Sequence, residues 1–564
     1  MKHKKAVLAV LLVAIVVVAF FVAYNLDTPA KQTEAASKPF YLGIETGWNA
    51  NVSQCEASID QVKGYTNLYI IASPLILRNE TMLNEVCDYA YNAGMYIMPA
   101  WYQDLFNTSL GYAPASWFTT AKERYGDKLL GIYFYDEPGG SQLDETINFT
   151  SNNAYNETSQ PISYQDYANW YFQIWTQGNG VPVAANLTRS LGPSLFTSDY
   201  ALYWFDYQLG YDTVLAELGW NNSRPLQVSL VRGAAEAQNK SWGAIITWTY
   251  DQAPYLETPS QLYNDMVLAY NSGASYIAIY DSSKNYVNTT LTNPEYFTKL
   301  KEFWSYVQQN PEKQGNLKAN VAVVLPQDYG FGFRNENDSV WQYHAATAWT
   351  QQLYNDVTNL LTQYKSGLNI VYSDPQFQGA IKSEYSKILY WPQDFEKGVS
   401  YPVTDLNDSL GYSTIQDAVS SFATYEGDTI LVDSGTYQGN INVNKTVSLT
   451  SQSSGTTTIE GVGNGTALTI AADNVAVTGF TVKNADYPAS TVGTGILLEN
   501  AHGCTVTDNV VAGNYIGVLL NSSTSNVFRG NQINGNTYNL ILQNSSPNSI
   551  DSSNTVGGKP YTAG

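Results

Sequence analysis

The sequence predicts a multidomain protein: an apolar N-terminal segment, then an α/β (TIM) barrel, a small three-layer α/β domain and a parallel β-helix. Three observations lead to this prediction. Strand-like and helix-like stretches alternate eight times between Phe40 and Pro311, and a shorter alternation follows. The last part of the chain repeats with a period of about 22 residues. Alternating strands and helices are typical of parallel sheets, whereas a repeat of this length indicates a solenoid.

Length and charge limit the classes of function. The 564 residues carry 28 Lys and Arg against 49 Asp and Glu, a formal net charge of -21. Nucleic acids and anionic lipid surfaces attract basic proteins, so this balance predicts no nucleic-acid partner. Tyrosine is frequent, with 44 residues, which predicts exposed aromatic surface.

The N-terminus predicts a membrane anchor. Lysines precede an uncharged apolar run from Ala6 to Tyr24, which is long enough to cross a bilayer core. We therefore expect a cytoplasmic tip and transmembrane signal anchor over residues 1–25, a linker over 26–38, and residues 26–564 outside the cell. Cleavage of the segment, which would give a secreted protein, is the alternative. Asn-x-Ser/Thr sequons recur from Asn51 to Asn544, as expected of an exported glycoprotein.

Residues 39–311 predict the (β/α)8 barrel. The eight predicted strands are FYLGIET, TNLYIIASP, MYIMPAWYQ, LLGIYFYDEP, VPVAANLT, YALYWFDYQ, WGAIITWTYD and ASYIAIYDSS. Amphipathic stretches such as ETMLNEVCDYAYNAG and LQVSLVRGAAEAQNK lie between them. Eight strand–helix units within about 270 residues favour a barrel. A doubly wound open sheet would usually have fewer strands and a Gly-rich first turn.

Residues 312–397 predict a small α/β domain of the flavodoxin or amidotransferase type. Three predicted parallel strands, VAVVLP, LNIVYSD and SKILYWP, accompany one crossover helix, AWTQQLYNDVTNLLTQY. The aromatic loop DYGFGFRNENDSVW follows the first strand, and we expect it to reach toward the barrel. A linker over residues 398–410 comes next.

Residues 411–564 predict the β-helix. Successive units align Leu468, Ile496, Val518 and Leu540 at one position, with Ile470, Leu498, Leu520 and Leu542 two residues later. Asn509 and Asn531 lie one period apart at a turn, and short alternating strands with stacked Asn turns indicate parallel coils. The opening stretch STIQDAVSSF predicts a short helix that caps the first coil.

These repeats resemble the right-handed β-helix of the pectin-lyase-like superfamily, specifically its NosD-like repeats. Lyases of that fold cluster charged residues on one face of the helix. Here only isolated Lys445, Lys483 and Arg529 occur. We therefore expect a spacer or glycan-binding stalk, with a β-helix lyase as the weaker hypothesis.

Carboxylates and aromatic rings follow the predicted barrel strands at the end where barrel enzymes place reactive groups. The carboxylates are Glu45, Asp104, Asp136, Glu137, Asp206, Asp251 and Asp281. The rings proposed to bind substrate are Trp48, Trp101, Tyr135, Trp204, Trp248, Tyr250 and Tyr255. Aromatic faces suit the C–H faces of sugars, and paired carboxylates suit glycoside hydrolysis. The histidines, His3, His344 and His502, all lie outside the barrel, so we expect neither a metal nor a cofactor there.

The stretch YDEPGG resembles the strand-4 motif of the large (β/α)8 clan of retaining glycoside hydrolases, in which an Asn-Glu-Pro run carries the general acid/base. The resemblance implies that Glu137 is the acid/base and that Asp136 takes the place of the Asn. The clan's nucleophile is a Glu at the end of strand 7, where Asp251 is the nearest residue in this chain. Glu45 is a reserve candidate for the second carboxylate. If strand geometry persists, Asp136 points away from the face that carries Glu137.

Two hypotheses follow. The first is an anchored extracellular glycoside hydrolase that acts on polysaccharide or glycoprotein glycans. The second is a non-catalytic glycan-binding or structural cell-surface protein with a degenerate barrel and a β-helix stalk. Carboxyl separations of about 5–9 Å across an open cleft would favour the first. Any self-association is expected through the small α/β domain or the β-helix.

Overall fold

The computed structural model describes residues 39–562 apart from 46, 145–162, 220, 248–256, 281–293, 343–344, 396–400, 408–409, 422, 464 and 485–492. The predicted anchor and the linker after it lie outside the described residues. Among the residues described, no helix is both long and apolar enough to cross a bilayer.

The first sheet contains eight parallel strands. They are β1 Tyr41–Glu45, β2 Leu68–Ile71, β3 Tyr96–Pro99, β4 Gly131–Tyr133, β5 Ser194–Asp199, β6 Thr213–Leu218, β7 Ser241–Thr247 and β8 Tyr276–Tyr280. Their order in the sheet is β3-β2-β1-β8-β7-β6-β5-β4. Isolated parallel bridges, Ile97 to Leu129 and Ala100 to Tyr133, connect the two outer strands, so the sheet forms a nearly closed barrel.

Helices surround this barrel. They are α1 Val52–Val62, α2 Pro74–Leu77, α3 Glu80–Asn92, α4 Pro114–Tyr125, α5 Pro138–Leu143, α6 Tyr164–Thr176, α7 Val181–Leu191, α8 Tyr203–Leu209, α9 Arg224–Ala237, α10 Pro259–Asn271 and α11 Pro294–Gln309. Side-chain caps fix several helix starts; Asn51, for example, accepts from the backbone N–H of Gln54.

The predicted fifth and sixth strands are wrong. VPVAANLT lies in α7, and most of YALYWFDYQ lies in α8. Strands β5 and β6 instead have the sequences SLFTSD and TVLAEL. A short apolar run does not by itself separate a buried helix from a buried strand. Pro182 in the first turn and left-handed Gly192 after the last are the helix signals in α7.

The small domain contains a three-stranded parallel sheet in the order β10-β9-β11. Its elements are β9 Val321–Leu325, α12 Ala348–Tyr364, β10 Leu368–Tyr372, α13 Gln378–Glu384 and β11 Lys387–Tyr390. Helix α9 of the barrel packs on this sheet. Buried Arg232 donates to Asn369 Oδ1 at 2.8 Å and to the Leu317 carbonyl at 2.7 Å. A Cβ at Gly233 would lie 2.3 Å from the Ile370 carbonyl oxygen, so only glycine permits this close approach.

The C-terminal part consists of coils that contribute strands in turn to three sheets. The elements are β12 Val403–Asp405, β13 Gly411–Tyr412, α14 Ile415–Ser420, β14 Thr429–Val432, β15 Gly435–Gln438, β16 Ile441–Val443, β17 Ser448–Ser451, β18 Thr457–Gly461, β19 Thr466–Ile470, β20 Ala476–Thr478, β21 Phe480–Asn484, β22 Thr494–Glu499, β23 Thr505–Thr507, β24 Val510–Val511, β25 Ile516–Asn521, β26 Val527–Arg529, β27 Gln532–Ile533, β28 Tyr538–Gln543, β29 Ser549–Ile550, β30 Thr555–Val556 and β31 Lys559–Pro560. From β14 to β30 the paired strands are parallel, which is the arrangement of a parallel β-helix.

The repeat alignment is confirmed by the strand register. Leu468 pairs with Ile496, Ile496 with Val518, and Val518 with Leu540. Asn509 donates its side-chain amide to Asn531 Oδ1 at 3.1 Å, and Asn531 donates to Asn554 Oδ1 at 2.9 Å. These buried ladders satisfy amide groups that would otherwise be stranded in the core.

Candidate active site

Two adjoining cavities open at the C-terminal ends of the barrel strands. An inner pocket of about 120 Å³ is lined by Glu45, Trp48, Tyr102, Tyr133, Asp136, Glu137, Ser198, Glu217, Ile245, Thr247 and Tyr280. An outer cavity of about 510 Å³ shares Trp48, Tyr102 and Asp136 with it and extends to Arg78, Tyr135 and Trp175. The inner pocket therefore holds four carboxyl groups, and no basic side chain lies among its lining residues.

The backbone of GIYFYDEPGG departs from strand geometry directly after β4. Tyr135 and Glu137 have positive φ values of 56° and 49°, and Pro138 begins α5. Non-glycine residues in this region are strained, and such strain concentrates at functional sites. Because the chain turns here, Asp136 and Glu137 both line the inner pocket, and the predicted opposite orientation of Asp136 is wrong.

Glu137 and Glu217 form the central pair of the pocket. Their side chains are in hydrogen-bond contact, and Glu217 comes from β6. Burial in the cleft walls raises the pKa of Glu137 to about 7, and the charge of Asp136 adds to the shift. Burial, and then the charges of Glu137 and Asp136, raise the pKa of Glu217 well above its ordinary value. The two carboxyl groups therefore retain protons to higher pH than free glutamate side chains do.

A hydrogen-bonded chain connects this pair to Asp136. The Tyr133 hydroxyl donates to Asp136 and accepts from the Ser198 backbone N–H at 3.2 Å. Ser198 donates in turn to Glu217 Oε1 at 2.7 Å. The chain fixes the orientation of carboxyl groups on both sides of Glu137.

Glu45 lies at the end of β1 and is 8% exposed. It accepts a hydrogen bond of 3.0 Å from the Tyr102 hydroxyl. Burial raises the pKa of Glu45 to about 8, with a further contribution from the charge of Asp136, although the Tyr102 hydrogen bond opposes the shift. Glu45 is therefore largely neutral at pH 7.

The predicted aromatic residues lie in different environments. Trp48 is 39% exposed and lines both cavities, while Tyr135 lines the outer one and contacts the ring of Trp175. Trp101 also borders the outer cavity but is only 1% exposed, so it offers little ring surface to a sugar. Trp204 is buried against Tyr372 and Phe377 of the small domain, which removes it from the mouth.

The remaining sequence-based candidates lie elsewhere. Asp104 pairs with Arg78 at 2.7 Å beside the outer cavity. Asp206 is in α8, fully buried, and accepts from the Tyr171 hydroxyl at 2.6 Å. Five of the sequence-based candidates fall outside the described residues: Trp248, Tyr250, Asp251, Tyr255 and Asp281.

Glu217 and Ser198 are the site residues that sequence reasoning missed. Both lie on the two strands that were assigned to the wrong segments. A signal was present in TVLAEL, because a glutamate inside an apolar strand of a barrel must be paired or face the mouth. In the described part of the chain, no group of three or more His, Cys, Asp or Glu side chains is arranged to hold a metal ion.

Comparisons with known proteins include a match to the β-helix. Residues 422–563 match the family described as "Periplasmic copper-binding protein (NosD)". A "Cell surface glycoprotein" of Methanothermus fervidus is 36% identical over 115 residues, which are 20% of this chain. The chain spans about a fifth of the length of that curated relative, at 18%.

Likenesses to solved structures are weak. An alginate lyase from Paenibacillus sp. covers 21% of this chain and 41% of its own at 20% identity, with a TM-score of 0.19. A GH10 xylanase from Thermobacillus composti covers 47% of this chain and 97% of its own at 9% identity, with a TM-score of 0.28. At these TM-scores neither likeness bears on function.

Proposed function

We propose that the barrel mouth binds a glycan outside the cell and that Glu137 serves there as the proton donor in hydrolysis of a glycosidic bond. The contact between Glu137 and Glu217 carries this proposal. Two carboxyl groups that share a proton at neutral pH can keep one of them as an acid, which glycoside hydrolysis needs for the leaving oxygen.

The other carboxyl groups take different roles. Because the carboxyl groups of Glu137 and Glu217 are in hydrogen-bond contact, they lie closer together than the acid and nucleophile of retaining enzymes, which are about 5 Å apart. Glu217 therefore shares a proton with Glu137, which remains the donor to the leaving oxygen, and Glu217 does not attack the sugar. Asp136 lies in the same pocket, and its charge faces the positive charge that develops on the sugar ring. Trp48 and Tyr135 offer ring surfaces beside it.

An extracellular site agrees with the comparisons. The matching family is described as periplasmic, and the curated relative is a cell-surface glycoprotein. The apolar run from Ala6 to Tyr24 would anchor the chain, with residues 26–564 outside. The β-helix would then act as a stalk or as a second glycan-binding surface.

The experiment uses a soluble fragment starting at Lys38 and its Glu137→Gln variant. Both are incubated with a panel of polysaccharides, and the release of reducing ends and retention on insoluble glycans are measured together. We expect release by the wild type and its loss in Glu137→Gln with retention preserved. Glu85→Gln, on the exposed face of α3, is the matched control and should release sugar like the wild type.

The non-catalytic alternative rests on the β-helix. Its basic residues serve structure: Lys445 is buried and donates to the Thr424 carbonyl at 2.9 Å, and Lys483 pairs with Glu460 at 2.6 Å. A stalk requires structural contacts of this kind and no catalytic residues. Retention of both proteins on a glycan, without release by either, would favour a glycan-binding surface protein.

A further inference from the structure

Asp199, the last residue of β5, lies directly against the turn that follows Glu137. It is fully buried and accepts four backbone N–H groups. Two come from the turn that follows Glu137: Gly139 at 2.6 Å and Gly140 at 2.9 Å. The other two come from Tyr200 at 2.8 Å and Ala201 at 3.1 Å. One carboxylate thus joins the start of α5 to the segment after β5.

The two glycines allow this approach. A Cβ at Gly139 would lie 2.7 Å from the Ala201 carbonyl oxygen and 3.0 Å from Asp199 Oδ2. A Cβ at Gly140 would lie 2.2 Å from the Tyr200 ring. The start of α5 therefore rests directly on the Asp199 segment, and the sequence Glu-Pro-Gly-Gly fits this contact.

Asp206 lies on the other side of Asp199. Both side chains are fully buried, and they are in hydrogen-bond contact. Asp206 Oδ1 accepts from Tyr171, whereas Oδ2 has no donor among the described residues. A buried carboxyl oxygen that has no donor and lies next to a second carboxyl group is expected to carry a proton itself, which makes the side chain neutral. Burial and the charge of Asp199 accordingly raise the pKa of Asp206 well above its ordinary value.

We propose that Asp199 is a positioning residue that holds Glu137 over the pocket, and that Asp206 donates a hydrogen bond to it from below. Four N–H donors favour the charged form of Asp199, although burial and the charge of Glu137 raise its pKa to about 8. Asp206 has one donor and its pKa is raised further by the hydrogen bond to Asp199, so the proton of the pair rests on Asp206. This inference rests on the proposed function for the role of Glu137, but its geometry does not depend on turnover.

The charged and titratable groups around Glu137 come from several elements. They are Asp136 in its own turn, Asp144 after α5, Asp199 on β5, Tyr200 after β5 and Glu217 on β6. Asp199 and Glu137 repel each other when both are charged, so we expect the pKa of Glu137 to fall when Asn replaces Asp199. Asn at position 199 also presents an N–H group where a backbone N–H now donates, so the start of α5 shifts.

The test measures the titration of Glu137 directly. The soluble fragment is labelled with carbon-13 at the glutamate side-chain carboxyl, and the signal missing in Glu137→Gln identifies Glu137. We expect a wild-type midpoint near 7. We expect Asp199→Asn to lower it by about one pH unit. Asp206→Asn replaces one neutral group with another and should leave the midpoint near the wild-type value. A matched control, Asp265→Asn, removes a buried carboxylate that pairs with Arg224 at 3.0 Å.

Turnover provides the second readout. On a polysaccharide that the wild type cleaves, Asp199→Asn should lower kcat by about tenfold or more with KM little changed, because the acid is displaced and binding is not. Asp265→Asn should keep the wild-type kcat. An unchanged midpoint and kcat in Asp199→Asn would overturn the proposal.

The two proposals fail separately. If no glycan is cleaved but the Asp199→Asn shift appears, the proposed hydrolysis fails and the positioning role stands. If Asp199→Asn does not fold, the titration midpoint of Glu137 in Asp206→Asn tests the proposal instead. A Glu137 midpoint that falls by about one pH unit in that variant would show that Asp206 carries the charge, and would overturn the proposal.

Discussion

Glu137 combines two backbone constraints that residues ordinarily avoid. It adopts a left-handed conformation, with φ 49° and ψ 54°, and it precedes a proline, which normally requires extended backbone. Its N–H donates to the Ser198 carbonyl at 3.1 Å, and the Asp199 contacts hold the next turn. The surrounding structure therefore imposes a conformation that the residue itself disfavours.

This strain makes the first prediction. Glu137→Gly should raise the free energy of unfolding by about 1 kcal/mol relative to Glu137→Gln, because glycine adopts positive φ without strain. Urea unfolding of the soluble fragment measures the difference. Glu85→Gly on α3 is the control and should lower stability by about 1 kcal/mol, since glycine disfavours an exposed helix. Equal stability of Glu137→Gly and Glu137→Gln would contradict the assigned backbone strain.

Glu45 makes a prediction about pH. Its pKa is about 8 in the folded protein, above the ordinary glutamate value, so the folded state binds its proton more tightly than the unfolded state. The resulting stabilisation is fully present at low pH and is lost as pH rises through about 8. Between pH 5 and pH 9 the wild type should lose about 4 kcal/mol more than Glu45→Gln. Unfolding curves at the two pH values test this, and identical losses would disprove the shift.

At the scale of elements, the loop 328–341 links the small domain to α5. Arg334 pairs with Asp144 at the end of α5 and donates to Asp338 Oδ1 at 2.7 Å. The Trp341 ring lies 4.7 Å from that of Phe205 in α8. The sequence-based expectation that this loop reaches the barrel is confirmed. Its contacts fix the helix that begins directly after Glu137.

Removing the Arg334 contacts tests that link. Arg334→Ala should lower the unfolding free energy by about 1–3 kcal/mol, because it leaves the buried Asp338 carboxylate without its charged partner. Arg529→Ala is the control: its pair with Asp551, at 3.6 Å, is exposed, so its loss should have little effect. Thermal unfolding measures both. Equal effects of the two variants would mean that the loop contacts are dispensable.

The asparagine ladder gives a second prediction at this scale. Asn531→Ala should lower the stability of the β-helix by about 1–3 kcal/mol, because Asn509 and Asn554 both lose a buried partner. Asn442→Ala, on the exposed side of β16, should change it little. Hydrogen exchange of the neighbouring coils measures the local effect, and equal protection in the two variants would contradict the ladder's role.

The elements also show what the sequence could predict. The 22-residue period placed Leu468 and Ile496 in register, because each coil must present the same position to the core. The barrel was predictable from six correct strands. Strands β5 and β6 were missed because the apolar runs before them form α7 and α8, and the choice between helix and strand there depends on tertiary packing. That error concealed Glu217 and Asp199.

At the scale of the whole molecule, the barrel and the small domain share one continuous apolar core. The β-helix has its own core and contacts the small domain where the Tyr425 hydroxyl donates to the Gln327 carbonyl at 2.6 Å. The carboxyl groups of the candidate site therefore lie in the barrel, and the asparagine ladders lie in the β-helix. The predicted domain boundaries and self-association surfaces stay predictions.

The most direct test of the central claim is the reducing-end assay on Glu217→Gln, because Glu217 is the partner that the structure assigns to Glu137. We predict that this variant still binds the polysaccharide that the wild type cleaves, but releases sugar at least about a hundredfold more slowly, since the shared proton is no longer held between two carboxyl groups. Release at the wild-type rate by Glu217→Gln would contradict the account.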